Sequence, residues 1–184
     1  MTEFESHYGH IKELLETEHS KAQTMLIVEY IGVDSDRFEA LMSLFLDDDW
    51  WMNQRASWPM PYIVSKSPEL IYPYLNQLIN SLENPTHNAV VRNTVKILQD
   101  IEIPEDYQGK IVDICMNLLA NPNEPVANRM FSMNVVYNIS LKWPDLQNEL
   151  KILIESQMNH GSPGFKSRGR KIIALIEKNS RFNP

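Results

Sequence analysis

Residues 78–92 read LINSLENPTHNAVVR: two leucines four apart, a turn at Asn84-Pro85, and Arg92 seven residues beyond the proline. The arrangement returns at a nearly fixed interval, because Arg55, Arg92, Arg129 and Arg168 are spaced 37, 37 and 39 residues apart. Seven positions before each arginine stands a turn-favouring residue: Asp48, Pro85, Pro122 and Gly161. Ten before stand Phe45, Leu82, Leu119 and Met158, and fourteen before stand Leu41, Leu78, Cys115 and Ile154. Eighteen before stand Tyr74, Ile111 and Leu150, with Arg37 breaking the pattern in the first unit. Residues four apart share a face of a helix, so these columns mark one buried stripe on one helix. The arginine then falls early on the helix that follows. A proline comes after each of the first three arginines, at Pro68, Pro104 and Pro144, and opens the next unit. Proline suits a helix start and holds the preceding residue out of helical geometry.

Outside these columns the pattern is also helical. Phe4, Tyr8, Ile11 and Leu15 fall on one stripe, and a second stripe runs Ala22, Leu26, Ile27, Tyr30, Ile31 up to Gly32. Asp34 or Ser35 is placed to cap the next helix, which carries Phe38, Leu41, Leu44 and Phe45. The punctuation predicts about ten helices, near the average helix length. Pro59 and Pro61 should interrupt the second helix of the first unit and leave Trp58-Pro59-Met60-Pro61-Tyr62 as a loop.

A unit of about 37 residues with two helices, an Asx/Pro turn and an arginine early in the second helix resembles the HEAT repeat family. The resemblance covers residues 34–184 as four repeat-like units, the last incomplete, with 1–33 as an N-terminal helix pair. It implies an all-α fold: a single domain over 1–184, an α-α superhelix of about four to five HEAT-like helix pairs. It further implies a non-enzymatic scaffold that binds another protein on a concave face. In such repeats the arginine commonly bonds to polar groups of a turn, for which Asp47, Asp48, Asn84, Asn121 and Asn123 are available.

Composition narrows the function classes. The 184 residues are 43% hydrophobic and 22% charged, an ordinary globular balance. The single cysteine, Cys115, excludes an intramolecular disulfide and a cysteine-rich zinc site, and reads as an inert buried thiol. The acidic start, Met1-Thr2-Glu3-Phe4-Glu5, does not read as a signal peptide, and no apolar run has the length of about 18 residues that a bilayer requires. The expected location is cytoplasmic, without a membrane partner. Net charge is −7, which disfavours nucleic acid as the partner. The charge is uneven: residues 161–184 carry six basic residues against Glu177, so this end holds +5 and residues 1–160 hold −12.

Two constellations stand out as binding candidates, Arg55, Arg92, Arg129 and Arg168 in one and Trp50, Trp51 and Trp58 in the other. Arginine forks suit phosphates and carboxylates, although a repeat-periodic arginine more often serves the stacking itself. The cluster Asp47-Asp48-Asp49-Trp50-Trp51, followed by Arg55 and Trp58, loosely resembles the aspartate, tryptophan and arginine set of HEAT-like DNA glycosylases that excise alkylated bases. That resemblance implies nucleic-acid binding as the alternative function; the simpler reading has the acids capping a helix and the tryptophans filling the turn. His7 and His10 read as exposed helix-face residues, since their spacing matches no zinc-helix pattern. No phosphate loop or nucleophile set is legible, and no catalytic residue, metal or cofactor is assigned.

Overall fold

The computed structural model describes residues 2–85 and 87–182, with side chains up to residue 180. Among the described residues there are eleven α-helices, two 3-10 turns and no strand. The fold is all-α. Contacts group the helices into two compact units, residues 1–101 and 102–184.

The first unit holds α1 (Glu3–Thr17), α2 (Lys21–Ile31), α3 (Ser35–Phe45), α4 (Trp50–Ala56), α5 (Met60–Val64), α6 (Leu75–Glu83) and α7 (Asn88–Asp100). Within it α1 packs on α2, α3 and α4, while α7 packs on α4, α5 and α6. Sequence signals account for the boundaries. Thr2 and Glu5 form a capping box at the start of α1, and Ser20 caps α2. Gly32 ends α2 at φ 55°, where a side chain would be strained. Of the two residues placed to cap α3, Asp34 does so, accepting from the amides of Asp36 and Arg37.

The second unit holds α8 (Glu105–Ala120), α9 (Val126–Ser140), α10 (Asp145–Gln157) and α11 (Pro163–Phe182). Helix α9 touches each of the other three, and its buried residues include Asn128, Arg129, Met133, Val135, Val136 and Ile139. Such a helix is covered on several sides, not along one stripe. Pro104, Pro125 and Pro144 precede α8, α9 and α10 directly, and Pro163 opens α11. Gly169 lets α11 lie close on α10, since a Cβ there would stand 2.8 Å from Cγ2 of Ile154.

Most of the repeat columns form the interior of both units, whereas Tyr74 and Met158 are only half-buried. Leu41, Leu78, Cys115 and Ile154, fourteen residues before the arginines, lie on α3, α6, α8 and α10 and are all fully buried. Phe45, Leu82, Leu119, Ile111 and Leu150 are buried beside them. Cys115 is the expected buried thiol, pushed up to about 12 by desolvation. No described helix is long and apolar enough to cross a membrane.

Some readings need correction. The stripe drawn on α2 is rotated: Ala22 is exposed and Leu26 is 53% exposed, while Gln23, Thr24, Ile27, Val28 and Ile31 face inward. Gln23 turns in because its amide donates to Leu14 O at 2.7 Å, an acceptor at the end of α1. Phe4 is likewise exposed at the free end of α1. The Trp-Pro-Met-Pro-Tyr stretch is a loop only in part: Trp58 and Pro59 lie in the turn after α4, whereas Met60-Pro61-Tyr62 begins α5, because proline in the first turn of a helix needs no amide partner. Met60, Pro61, Ile63 and Val64 of the resulting α5 are buried. The 3-10 turns Pro68–Leu70 and Tyr72–Tyr74 then lead into α6.

The column positions set a stability contrast. Truncating Leu78 to Ala should cost about 2–5 kcal/mol through lost transfer energy and a residual cavity. Leu26→Ala should stay within about 0.5 kcal/mol, as surface substitutions do. Denaturant unfolding of the two variants checks the register, and equal losses would contradict it.

Candidate interaction surface

The candidate residues are positioned by the turns between paired helices, and these turns share a problem. The last carbonyls of any helix lack partners within it. Here α1, α2, α3, α8 and α9 have no basic residue in the last turn. A polar side chain from a later helix supplies the missing donor. Asn53 of α4 donates to Phe45 O at 2.5 Å, and Arg37 of α3 donates to Tyr30 O at 2.7 Å. That contact explains why Arg37 interrupts its apolar column: its guanidinium also lies over the Tyr30 ring at 4.6 Å.

Two members of the arginine ladder act in this way. Arg55 donates to Leu15 O at 2.6 Å, which fastens α4 to the end of α1, and its guanidinium covers Trp51 at 4.0 Å. Arg129 is only 6% exposed and donates through Nε to Leu119 O at 3.2 Å. It also donates to Gln157 Oε1 and lies over Phe165 at 4.3 Å, while Gln157 Nε2 donates to Leu119 O as well. Burial holds the Arg129 guanidinium below its ordinary pKa. An outside phosphate or carboxylate would have to displace these partners. Arg92 is exposed on α7 and Arg168 is half-buried on α11. The buried polar position beside Arg92 is Asn93, whose Nδ2 donates to Ser57 Oγ at 2.9 Å.

Two of the turn residues foreseen as partners of the arginines, Asp47 and Asn121, bond within their own turns instead, as does the neighbouring Asp49. Asp47 Oδ1 accepts from Asp49 N at 2.9 Å, Asp49 Oδ1 caps α4 through Trp51 N at 3.0 Å, and Asn121 Oδ1 accepts from Asn123 N at 3.0 Å. A short Asx side chain reaches a local amide more easily than a distant guanidinium.

The three tryptophans go to different neighbours. Trp50 is 54% exposed and stacks on His87, with centroids 5.8 Å apart and planes 26° apart. His87 is itself fixed, since Nδ1 accepts from Ala89 N as the cap of α7. Trp51 lies under Arg55, and Trp58 meets His19 edge to face at 4.6 Å. The expectation that the tryptophans fill the turn therefore fails for Trp50. Each of the three rings thus has its own partner, His87, Arg55 and His19 in turn. His7 and His10 are not simply exposed: His7 Nδ1 lies 2.7 Å from the Tyr30 hydroxyl, and His10 sits edge-on to that ring at 4.5 Å.

Sequence reasoning missed Gln108 and Gln147. Both are buried, and they donate to Ile103 O at 2.8 Å and to Ser140 O at 3.1 Å. The signal was present, because each lies 21 residues before a ladder arginine. A search for apolar columns passes over a buried glutamine.

Three outcomes follow. Arg129→Met should cost about 1.5–3 kcal/mol, the range for a hydrogen bond to a charged group, whereas Arg92→Ala should fall within about 0.5 kcal/mol. Thermal and denaturant unfolding measure both. Partial burial, and then the Arg55 charge, hold His19 below its ordinary value of 6.5. Because the unfolded chain binds this proton more tightly, the His19 contribution is complete above that value and is lost as pH falls from it through the folded pKa. An NMR titration should place the His19 ring below 6.5, with Arg55→Gln raising it.

A search of curated proteins and a search of solved structures each returned no match. A family model described as the HEAT repeat domain matches residues 11–176, most of both units. The paired helices, the turn before each ladder arginine and this match agree, and the chain belongs to the HEAT repeat domain family.

Proposed function

We propose that this chain is a non-enzymatic interaction scaffold and that its partner is another protein. HEAT repeats are helical scaffolds generally involved in protein interaction, which supports the class of function without naming a partner. The observation that carries the reading is Trp50. An indole left 54% exposed while stacked, offset and tilted by 26°, on a helix-capping histidine is a half-desolvated anchor. Tryptophan in such a position loses little side-chain entropy on binding and is favoured among the residues that dominate interface energetics. Arg92, exposed on α7, is the ladder member available to an acidic group of a partner, whereas Arg129 is engaged inside its unit. A cytoplasmic location belongs to the same reading, with Cys115 kept as a buried thiol as its support.

The test is affinity capture with wild type, Trp50→Ser and Arg92→Glu, each checked for native helicity by circular dichroism. A partner held by the wild type should be lost from Trp50→Ser and weakened by Arg92→Glu. Retention of every partner by both variants would overturn the reading. Saturable binding of short DNA or RNA at low ionic strength, where phosphate attraction is greatest, would favour the nucleic-acid alternative.

A further inference from the structure

The second unit contains a cavity that neither the arginine ladder nor the tryptophan cluster includes. It has a volume of about 400 Å³, within the usual range of ligand pockets, and opens between α8, the end of α9 and the start of α10. Its apolar lining comes from Val112, Ile139, Leu146 and the indole of Trp143. Trp143 is 47% exposed yet fixed, because Nε1 donates to Gln108 Oε1 at 2.7 Å and the same amide donates to Ile103 O. One buried glutamine thus ties the segment before α8 to the helix and orients an aromatic wall.

The charged residues that line this apolar space are of one sign. Glu105 and Asp113 line it, both on exposed positions of α8. Glu105 shares the first turn of α8 with Asp106, and Asp145 opens α10, so the positive ends of both helices already face acids. Asp113 lies two turns further on, beyond the reach of that dipole. Lys142, on the turn beside Trp143, is paired with Glu102 at 3.0 Å. At Gly109 a Cβ would meet nothing within 4 Å, so the cavity is open on that side and helix propensity does not explain the glycine.

We propose that this cavity receives an arginine or lysine side chain from an extended basic segment of a partner. The aliphatic stem of such a residue matches Val112, Ile139 and Leu146, and its cationic head suits an indole together with two carboxylates. The local attraction comes from Glu105 and Asp113 at the rim, in a chain of net charge −7, and the pocket selects the side chain. The inference stands apart from the Trp50 surface, which belongs to the other unit.

The test follows the Trp143 indole resonance in the full-length ¹⁵N-labelled protein, identified by its absence in Trp143→Phe. The probe is a short peptide alternating arginine and glycine; the control replaces each arginine with citrulline, which keeps the shape and removes the charge. The arginine peptide should shift the resonance saturably at low salt and weaken as salt is raised. The citrulline peptide should leave it in place. Gly109→Leu, which fills the open side of the cavity, should weaken binding about tenfold or more, and Glu105→Gln with Asp113→Asn should do likewise. The second variant changes only exposed side chains, so the proposal stays testable if the first folds poorly. Trp50→Ser should leave the titration unchanged, which separates this pocket from the surface proposed above. A stationary indole resonance, an equal shift with citrulline, or full affinity in the doubly neutralised variant would each overturn it.

Discussion

Helix ends decide how this protein is held together. Every helix leaves its last carbonyls without internal donors, and burying them unpaired is costly. A glycine in the left-handed region or a basic residue in the last turn commonly solves the problem. Here α1, α3, α8 and α9 have neither, and the donor is a side chain from a different helix: Arg55 for Leu15, Asn53 for Phe45, Arg129 and Gln157 for Leu119, Gln147 for Ser140. Each bond joins a local defect to a tertiary contact. The helices within a unit are therefore registered by polar bonds at their ends as well as by apolar stripes along their lengths.

This arrangement divides residues that look alike. Arg129 is buried with its guanidinium on a carbonyl, an amide and a ring, whereas Arg92, from the same sequence column, is exposed. In the unit of Arg92 the inward polar role falls to the next residue, Asn93, which reaches Ser57. The aspartates before α4 divide similarly, with two of them consumed by the geometry of their own turn. Trp50 and Arg92 in the first unit, and the space beside Trp143 in the second, are the groups proposed above for partners.

The helix pairs and their interior were legible because apolar spacing reports directly on which face of a helix is covered. Leu41, Leu78, Cys115 and Ile154 could be named as core from their interval alone, and each is fully buried. The reading failed where a polar group was drawn inward by a carbonyl. Gln23 rotates the buried face of α2 past Ala22 and Leu26, and Gln108 and Gln147 went unnoticed. Hydropathy assigns such residues to solvent; only a nearby orphan acceptor brings them inside.

The sequence alone was enough to determine an all-α chain, the two helices and turn of each unit, and the HEAT-type period, since these depend on patterns within a few dozen residues. The direction taken by each polar side chain was decided by tertiary structure, because that depends on which helix end lies within hydrogen-bond reach. Arg55 meets a carbonyl forty residues away in sequence, and Trp143 meets an amide thirty-five residues away. No local pattern encodes either distance. The pocket beside Trp143 exists only once the helices bearing those groups are packed together.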